Sequence, residues 1–178
     1  MNPSGGVFID SYSSIDHPST IVYRNINGEI IRILGTTDEE QVKSKHISIP
    51  KIVRFPAAVG ETILNGIITF PANYDSGKSY PVIVYGYGMP GTQIVWNRWS
   101  GGLQQFLAKE GYMIFSMDAR GMSGRGRDFK NLSYGDMANY LSDDHAAGVE
   151  WLIDQGYADP EKIGAWGWSG GGYFTCLM

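Results

Sequence analysis

The chain has 178 residues, is 43% hydrophobic and 18% charged, and carries a formal net charge of −4. That length suits one ordinary domain or a part-domain with a tail, and the composition suits a folded chain rather than a disordered one. The acidic balance gives a nucleic-acid partner no electrostatic support, and no run approaches the length of a membrane-spanning helix.

The first six residues have neither the basic region nor the apolar core of a secretory signal. Residues 7–13, 20–25 and 29–34 are short β-rich runs, and Asn27-Gly28 between the last two is a strong hairpin signal. Residues 37–45 are polar and predict a short helix, with Thr37 as its cap and Asp38, Glu39 and Glu40 in its first turn. Residues 51–56 and 62–70 are again β-rich, and 71–79 is a polar loop of turn-forming residues.

The pattern changes at Tyr80. Pro81-Val82-Ile83-Val84-Tyr85 is a continuous apolar run, as expected of a strand covered on both faces. Residues 99–110 predict a helix with Leu103, Phe106 and Leu107 on its apolar side and Gly111 as its stop. Residues 112–117 read as a second buried strand, ending at Asp118. Residues 136–155 form the longest helical candidate, with Ala146, Ala147, Val149, Leu152 and Ile153 as its apolar stripe and Gly156 as its end. Residues 163–166 read as a third buried strand. Strands alternating with helices imply an α/β fold, a parallel sheet with helices on both faces.

The third strand runs into Gly167-Trp168-Ser169-Gly170-Gly171. In a chain with 24 glycines, Gly-x-Ser-x-Gly alone is a weak signal. Its context strengthens it: a short apolar strand precedes the serine and a helix-compatible segment follows. That is the nucleophile elbow of an α/β-hydrolase, where the serine is strained and flanking side chains would collide. The Gly170 N–H can then face an oxyanion. The single cysteine, Cys176, excludes an internal disulfide, and its expected place is the buried face of the helix after Ser169.

A competing motif is Gly86-Tyr87-Gly88-Met89-Pro90-Gly91, which fits the dinucleotide fingerprint G-x-G-x-x-G after a strand, with Asp118 ending the next one. The fingerprint needs a helix that opens within the glycine turn, whereas here the next helix is expected only near Trp99. In the hydrolase reading the same loop supplies the second oxyanion donor, and the Tyr87 phenol is the candidate.

From about Lys51 onward these blocks resemble the prolyl oligopeptidase family of serine peptidases, most closely its dipeptidyl-peptidase IV branch. Thr62-Ile63-Leu64-Asn65-Gly66 with Phe70-Pro71-Ala72-Asn73-Tyr74 resembles the hairpin entering the catalytic domain, and Ser79-Tyr80-Pro81-Val82 its first core strand. Tyr85-Gly86-Tyr87-Gly88-Met89-Pro90-Gly91 resembles the oxyanion loop, with Tyr87 at the oxyanion tyrosine. Asp118-Ala119-Arg120-Gly121 and Gly124-Arg125-Gly126 resemble the turn that follows. Asp144 and residues 147–152 resemble the helix before the elbow, and residues 167–172 the elbow itself. Where that branch often has a bulky tyrosine after the serine, this chain has Gly170, which puts proline specificity in question.

The resemblance implies a peptidase that works through an acyl-enzyme, often cutting after proline or alanine. Ser169 is then the nucleophile, and Tyr87 and the Gly170 N–H form the oxyanion hole. It implies a peptide substrate, no cofactor and no metal, and a longer parent able to form a homodimer. It also divides the chain into a β-rich segment at 1–48, expected to be the end of a β-propeller with its linker, and an incomplete catalytic domain at 49–178. The order along an α/β-hydrolase is Ser, then Asp or Glu, then His. Only nine residues follow Ser169, none acidic or histidine, and His17, His46 and His145 precede it and are read as structural or surface residues. The expected picture is a segment, silent by itself, of a parent longer by roughly a hundred residues, with the sheet left open at the 163–166 strand. Two other functions remain open: a carboxylesterase on the same fold, and a non-catalytic fragment or degenerate homologue. The sequence assigns no compartment.

Overall fold

The computed structural model describes residues 5–99 and 101–178, apart from the side chain of Glu39. Ser100, within the helix predicted over 99–110, lies outside the described residues, as do the first four residues. Two sheets organise the chain. The first is a meander of β1 (Val7–Tyr12), β2 (Thr20–Asn25) and β3 (Ile30–Thr36), antiparallel throughout. Its second turn forms where Asn27-Gly28 predicts it: Gly28 has φ +86°, and the Asn25 side-chain oxygen accepts from the Asn27 and Glu29 N–H groups, both at 3.0 Å.

Helix α1 (Glu39–Ser44) is capped by Asp38, not by Thr37. The Asp38 carboxylate reaches the N–H groups of Glu40 and Gln41 at 2.9 and 3.1 Å, while the Thr37 hydroxyl turns to the Ser19 carbonyl.

The second sheet holds β4 (Lys51–Pro56), β5 (Ile63–Thr69), β6 (Tyr80–Tyr85), β7 (Met113–Asp118) and β8 (Ala158–Trp166), in the order β4-β5-β7-β6-β8. It is mixed rather than parallel throughout. β4 and β5 form a hairpin and β5 runs antiparallel to β7, whereas β7, β6 and β8 are parallel. A short loop can only return the chain antiparallel, and parallel neighbours need the helical crossovers that begin after β6. β8 is the outer strand beyond β6 among the described residues. It starts earlier than residues 163–166 and includes Pro160, which an edge strand tolerates because no further partner needs its missing N–H.

The core lies between this sheet and helix α4 (Met137–Asp154), with Phe55, Leu64, Ile68, Met113, Phe115 and Met117 buried. α4 sits close on β7: a Cβ added at Gly148 would stand 2.9 Å from a Phe115 ring carbon and 3.0 Å from the Met117 sulfur. The buried stripe of α4 is Leu141, Asp144, His145, Gly148 and Leu152, so Ala146 is exposed, contrary to the apolar pattern. The stripe is rotated because Asp144 turns inward to a charged partner, Arg120. Helix α2 (Leu103–Lys109) shows a similar reversal: Gln105 and Ala108 are buried, while Leu103 and Phe106 are exposed. Gln105 is stable inside because its amide accepts from the Ser48 N–H at 2.9 Å and donates to the Ser48 carbonyl at 2.7 Å. Helix α3 (Gly126–Asn131) has no counterpart among the predicted elements.

Candidate active site

Ser169 occupies the turn between β8 and the last helix, α5 (Gly170–Leu177). Its backbone has φ +55° and ψ −115°. Among the described residues only His46 and Ser169 have positive φ without being glycine. An L-residue reaches that region at a cost of about 1–3 kcal/mol, which surrounding packing must offset. Here the packing is backbone on backbone. A Cβ at Gly167 would lie 2.4 Å from the Gly171 carbonyl oxygen, and a Cβ at Gly171 would lie 2.3 Å from that of Gly86. The two outer glycines of Gly-x-Ser-x-Gly are therefore required by close approach, one across the turn and the other against the loop after β6.

The first turn of α5 uses its donors in order. The Gly171 N–H donates to Trp168 O at 2.8 Å, and the Gly172 and Tyr173 N–H groups donate to Ser169 O at 2.9 and 3.2 Å. Gly170 is the first helical residue, a position whose N–H has no acceptor within its own helix.

The loop 86–91 lies directly on this turn. Gly86 touches Gly171, and the Tyr87 Cα is 3.5 Å from the position of a Cβ on Gly171. Tyr87 itself is half-buried. The loop's exit is fixed by Thr92, whose N–H and hydroxyl both donate to Met89 O, at 3.2 and 2.5 Å. Beyond it, the Ile94 and Val95 N–H groups donate to Asp118 Oδ1 at 2.7 and 3.3 Å. Burial pushes the Asp118 carboxyl above the usual carboxylate range, and those two N–H groups oppose the shift. No helix opens in residues 86–98, so the chain lacks the helix N-terminus that a dinucleotide pyrophosphate needs there.

Tyr85, at the end of β6, has its ring centroid 4.9 Å from that of Trp166. It lines a cavity of about 260 Å³ together with Ile67, Thr69, Ile114 and Gln104 of α2. Val84, its neighbour in the strand, lies on the side of α4 and α5 instead.

Two of the histidines are engaged locally. His145 is fully buried; its Nδ1 is 2.7 Å from Leu141 O, and its ring packs 4.2 Å from that of Phe174 in α5. Burial pushes its pKa down to about 4, so it is neutral near pH 7, with Nε2 unpartnered. His17 sits in an exposed group with Ser14 and Asp16 that imitates a triad on paper. Its Nδ1 is 3.1 Å from Ser14 Oγ and 2.9 Å from Asp16 Oδ1. One ring nitrogen meets both partners, whereas proton relay from serine to an oriented imidazole uses the two nitrogens separately. Cys176, expected inside, is exposed, because α5 buries Gly171 and Phe174 and Cys176 lies on another side of that helix. Among the described residues, no three His, Cys, Asp or Glu side chains are grouped to hold a metal.

Residues 99–178 match the model of the Prolyl oligopeptidase family. The chain is 30% identical over 161 residues to the human Prolyl endopeptidase FAP, covering 90% of this chain and 21% of that protein. It is 29% identical over 182 residues to Dipeptidyl peptidase 4 of Trichophyton equinum, covering 98% of this chain and 24% of the relative. The crystal structure of Porphyromonas gingivalis dipeptidyl peptidase 4 superposes with a TM-score of 0.88 at 28% identity, covering 97% of this chain and 25% of that one. The chain thus spans about a quarter of the length of these relatives.

Proposed function

We propose, from the chain's similarity to the prolyl oligopeptidase family and its dipeptidyl-peptidase IV branch, that it carries the nucleophile and oxyanion side of a serine-peptidase site. The observation that supports this best is the positive φ of Ser169 at a strand-to-helix turn held by the loop 86–91. The Ser169 hydroxyl attacks the scissile carbonyl while a histidine from elsewhere in a full-length parent takes its proton. The tetrahedral oxyanion is held by the Gly170 N–H and the Tyr87 O–H. Collapse expels the amine, which takes a proton from that histidine, and water then hydrolyses the acyl-enzyme.

The substrate class is short peptides, cut as dipeptides after proline or alanine. Residues 1–48 form the closing part of a propeller and its linker, and 49–178 the first part of the catalytic domain. The parent can dimerise. These 178 residues alone are inactive, since none of His17, His46 and His145 can serve as the base for Ser169.

Chromogenic dipeptidyl amides and a fluorophosphonate probe test the reading on a full-length parent and on this chain. Amide hydrolysis by the parent, lost in Ser169→Ala, with negligible labelling of the isolated chain, is the expected result. Turnover of simple esters alone would favour an esterase, and no turnover or labelling a degenerate homologue. Efficient labelling of the isolated chain would overturn the inactivity proposed for it.

A further inference from the structure

The residue after a nucleophilic serine stands beside the reacting bond, so what lies along its side-chain direction shapes the pocket. At Gly170 that direction is taken. A Cβ there would lie 2.2 Å from Cγ, 3.0 Å from Cε and 3.2 Å from Sδ of Met89. Position 170 supplies no side chain, and Met89 fills that space from the facing loop.

The two kinds of wall differ physically. A ring attached at position 170 would be anchored to α5 and held by two torsions. Met89 is anchored to the loop by its carbonyl, which accepts twice from Thr92, and the Ser123 N–H in turn fixes Thr92 O at 2.7 Å. Its half-buried thioether keeps three rotatable bonds and a polarizable sulfur, so it can refill irregular space.

We propose that Met89 is the specificity-determining wall beside Ser169, an adjustable one that lets the site accept residues larger than proline before the cut. This rests on the peptidase reading of Ser169. Removing the wall opens the pocket, and a ring at position 170 must collide with Met89 unless Met89 is shortened.

The test compares kcat/KM for dipeptidyl amides bearing proline, leucine or phenylalanine before the cut, in a full-length parent. For Met89→Ala only ratios between substrates are read; for Gly170→Tyr, whose backbone is also assigned to the oxyanion hole, only the change that Met89→Ala makes within the same Gly170→Tyr background is read. Met89→Ala is expected to raise the phenylalanine-to-proline ratio by about tenfold or more, the scale at which pocket-filling groups discriminate. Gly170→Tyr is expected to depress turnover of all three substrates, and Met89→Ala in that background to restore it with a preference for proline. Unchanged ratios in Met89→Ala, or Gly170→Tyr accepted without any effect of Met89, would overturn the proposal while leaving the peptidase reading intact. Absence of any Ser169-dependent amide hydrolysis would overturn both. Should Gly170→Tyr fail to fold, the Met89→Ala ratios decide alone.

Discussion

Arg120 and Asp144 meet as a buried, bidentate ion pair that joins the turn after β7 to the middle of α4. The Nη2–Oδ1 distance is 2.6 Å, Nε lies 2.9 and 3.0 Å from the two carboxylate oxygens, and the Arg120 backbone N–H donates to Oδ2 at 2.8 Å. The guanidinium also donates to the Val59 carbonyl at 3.0 Å and lies 4.5 Å from the Tyr140 ring centroid. Nε, Nη1 and Nη2 each donate to an oxygen, and charge pairing with hydrogen bonding of this kind is the condition under which a buried pair is tolerated. Asp144→Ala leaves the guanidinium buried without its counter-charge, and the expected loss is about 3–5 kcal/mol. The double variant Arg120→Met with Asp144→Leu should lose less than the single. Urea denaturation of the three proteins measures both; a double variant as unstable as the single would contradict the argument.

Gly171 tests the backbone contact behind the elbow. A methyl group there meets the Gly86 carbonyl oxygen, an atom that cannot rotate away. Gly171→Ala is expected to cost about 1–3 kcal/mol through overpacking. It should also slow fluorophosphonate labelling of Ser169 in a full-length parent, because loop 86–91 must move off the turn. A shift in the denaturation midpoint without loss of labelling would limit Gly171 to stability.

Tyr87 tests the oxyanion assignment. Removing one donor of this kind typically costs on the order of 10²–10³ in kcat, so Tyr87→Phe should fall in that range with KM little changed. Tyr85→Phe is the comparison. Its ring packs on Trp166 at the end of the neighbouring strand, and its loss is expected to be small. The opposite ranking would move the donor from Tyr87 to Tyr85.

His145 makes stability depend on pH. Burial holds its pKa near 4 in the fold, below the ordinary value of 6.5, so the unfolded chain binds more protons between those values. Stability from this group is complete above about pH 6.5, falls as pH drops, and levels off below about 4; the total is on the order of 3 kcal/mol. The adjacent Asp144 carboxylate acts in the opposite direction and is the smaller influence. His145→Leu should flatten the change in urea midpoint between pH 7 and pH 4. An equal slope in both proteins would assign the dependence to the carboxylates.

Local signals were enough wherever the backbone itself decides. Asn27-Gly28 marked a hairpin because only a few residues adopt its turn, and the elbow was legible because its glycines are demanded by close approach within a few residues. The alternating strands and helices announced an α/β fold, although β5 beside β7 made the sheet mixed. The order of blocks from residue 51 onward announced the family.

What an apolar pattern could not announce was which polar side chains would turn inward. Gln105 and Asp144 are buried because Ser48 and Arg120, 57 and 24 residues away in sequence, satisfy them. Those partners rotated both helices away from the stripes their leucines and alanines suggested. The filling of the space beside Gly170 by Met89 is of the same kind. The sequence by itself determined the turn geometries, the strained serine turn at Ser169 among them, because those depend on neighbours a few residues apart. Only the tertiary structure decided which distant group fills each space beside them, because desolvation and contact are settled by what arrives from elsewhere in the chain.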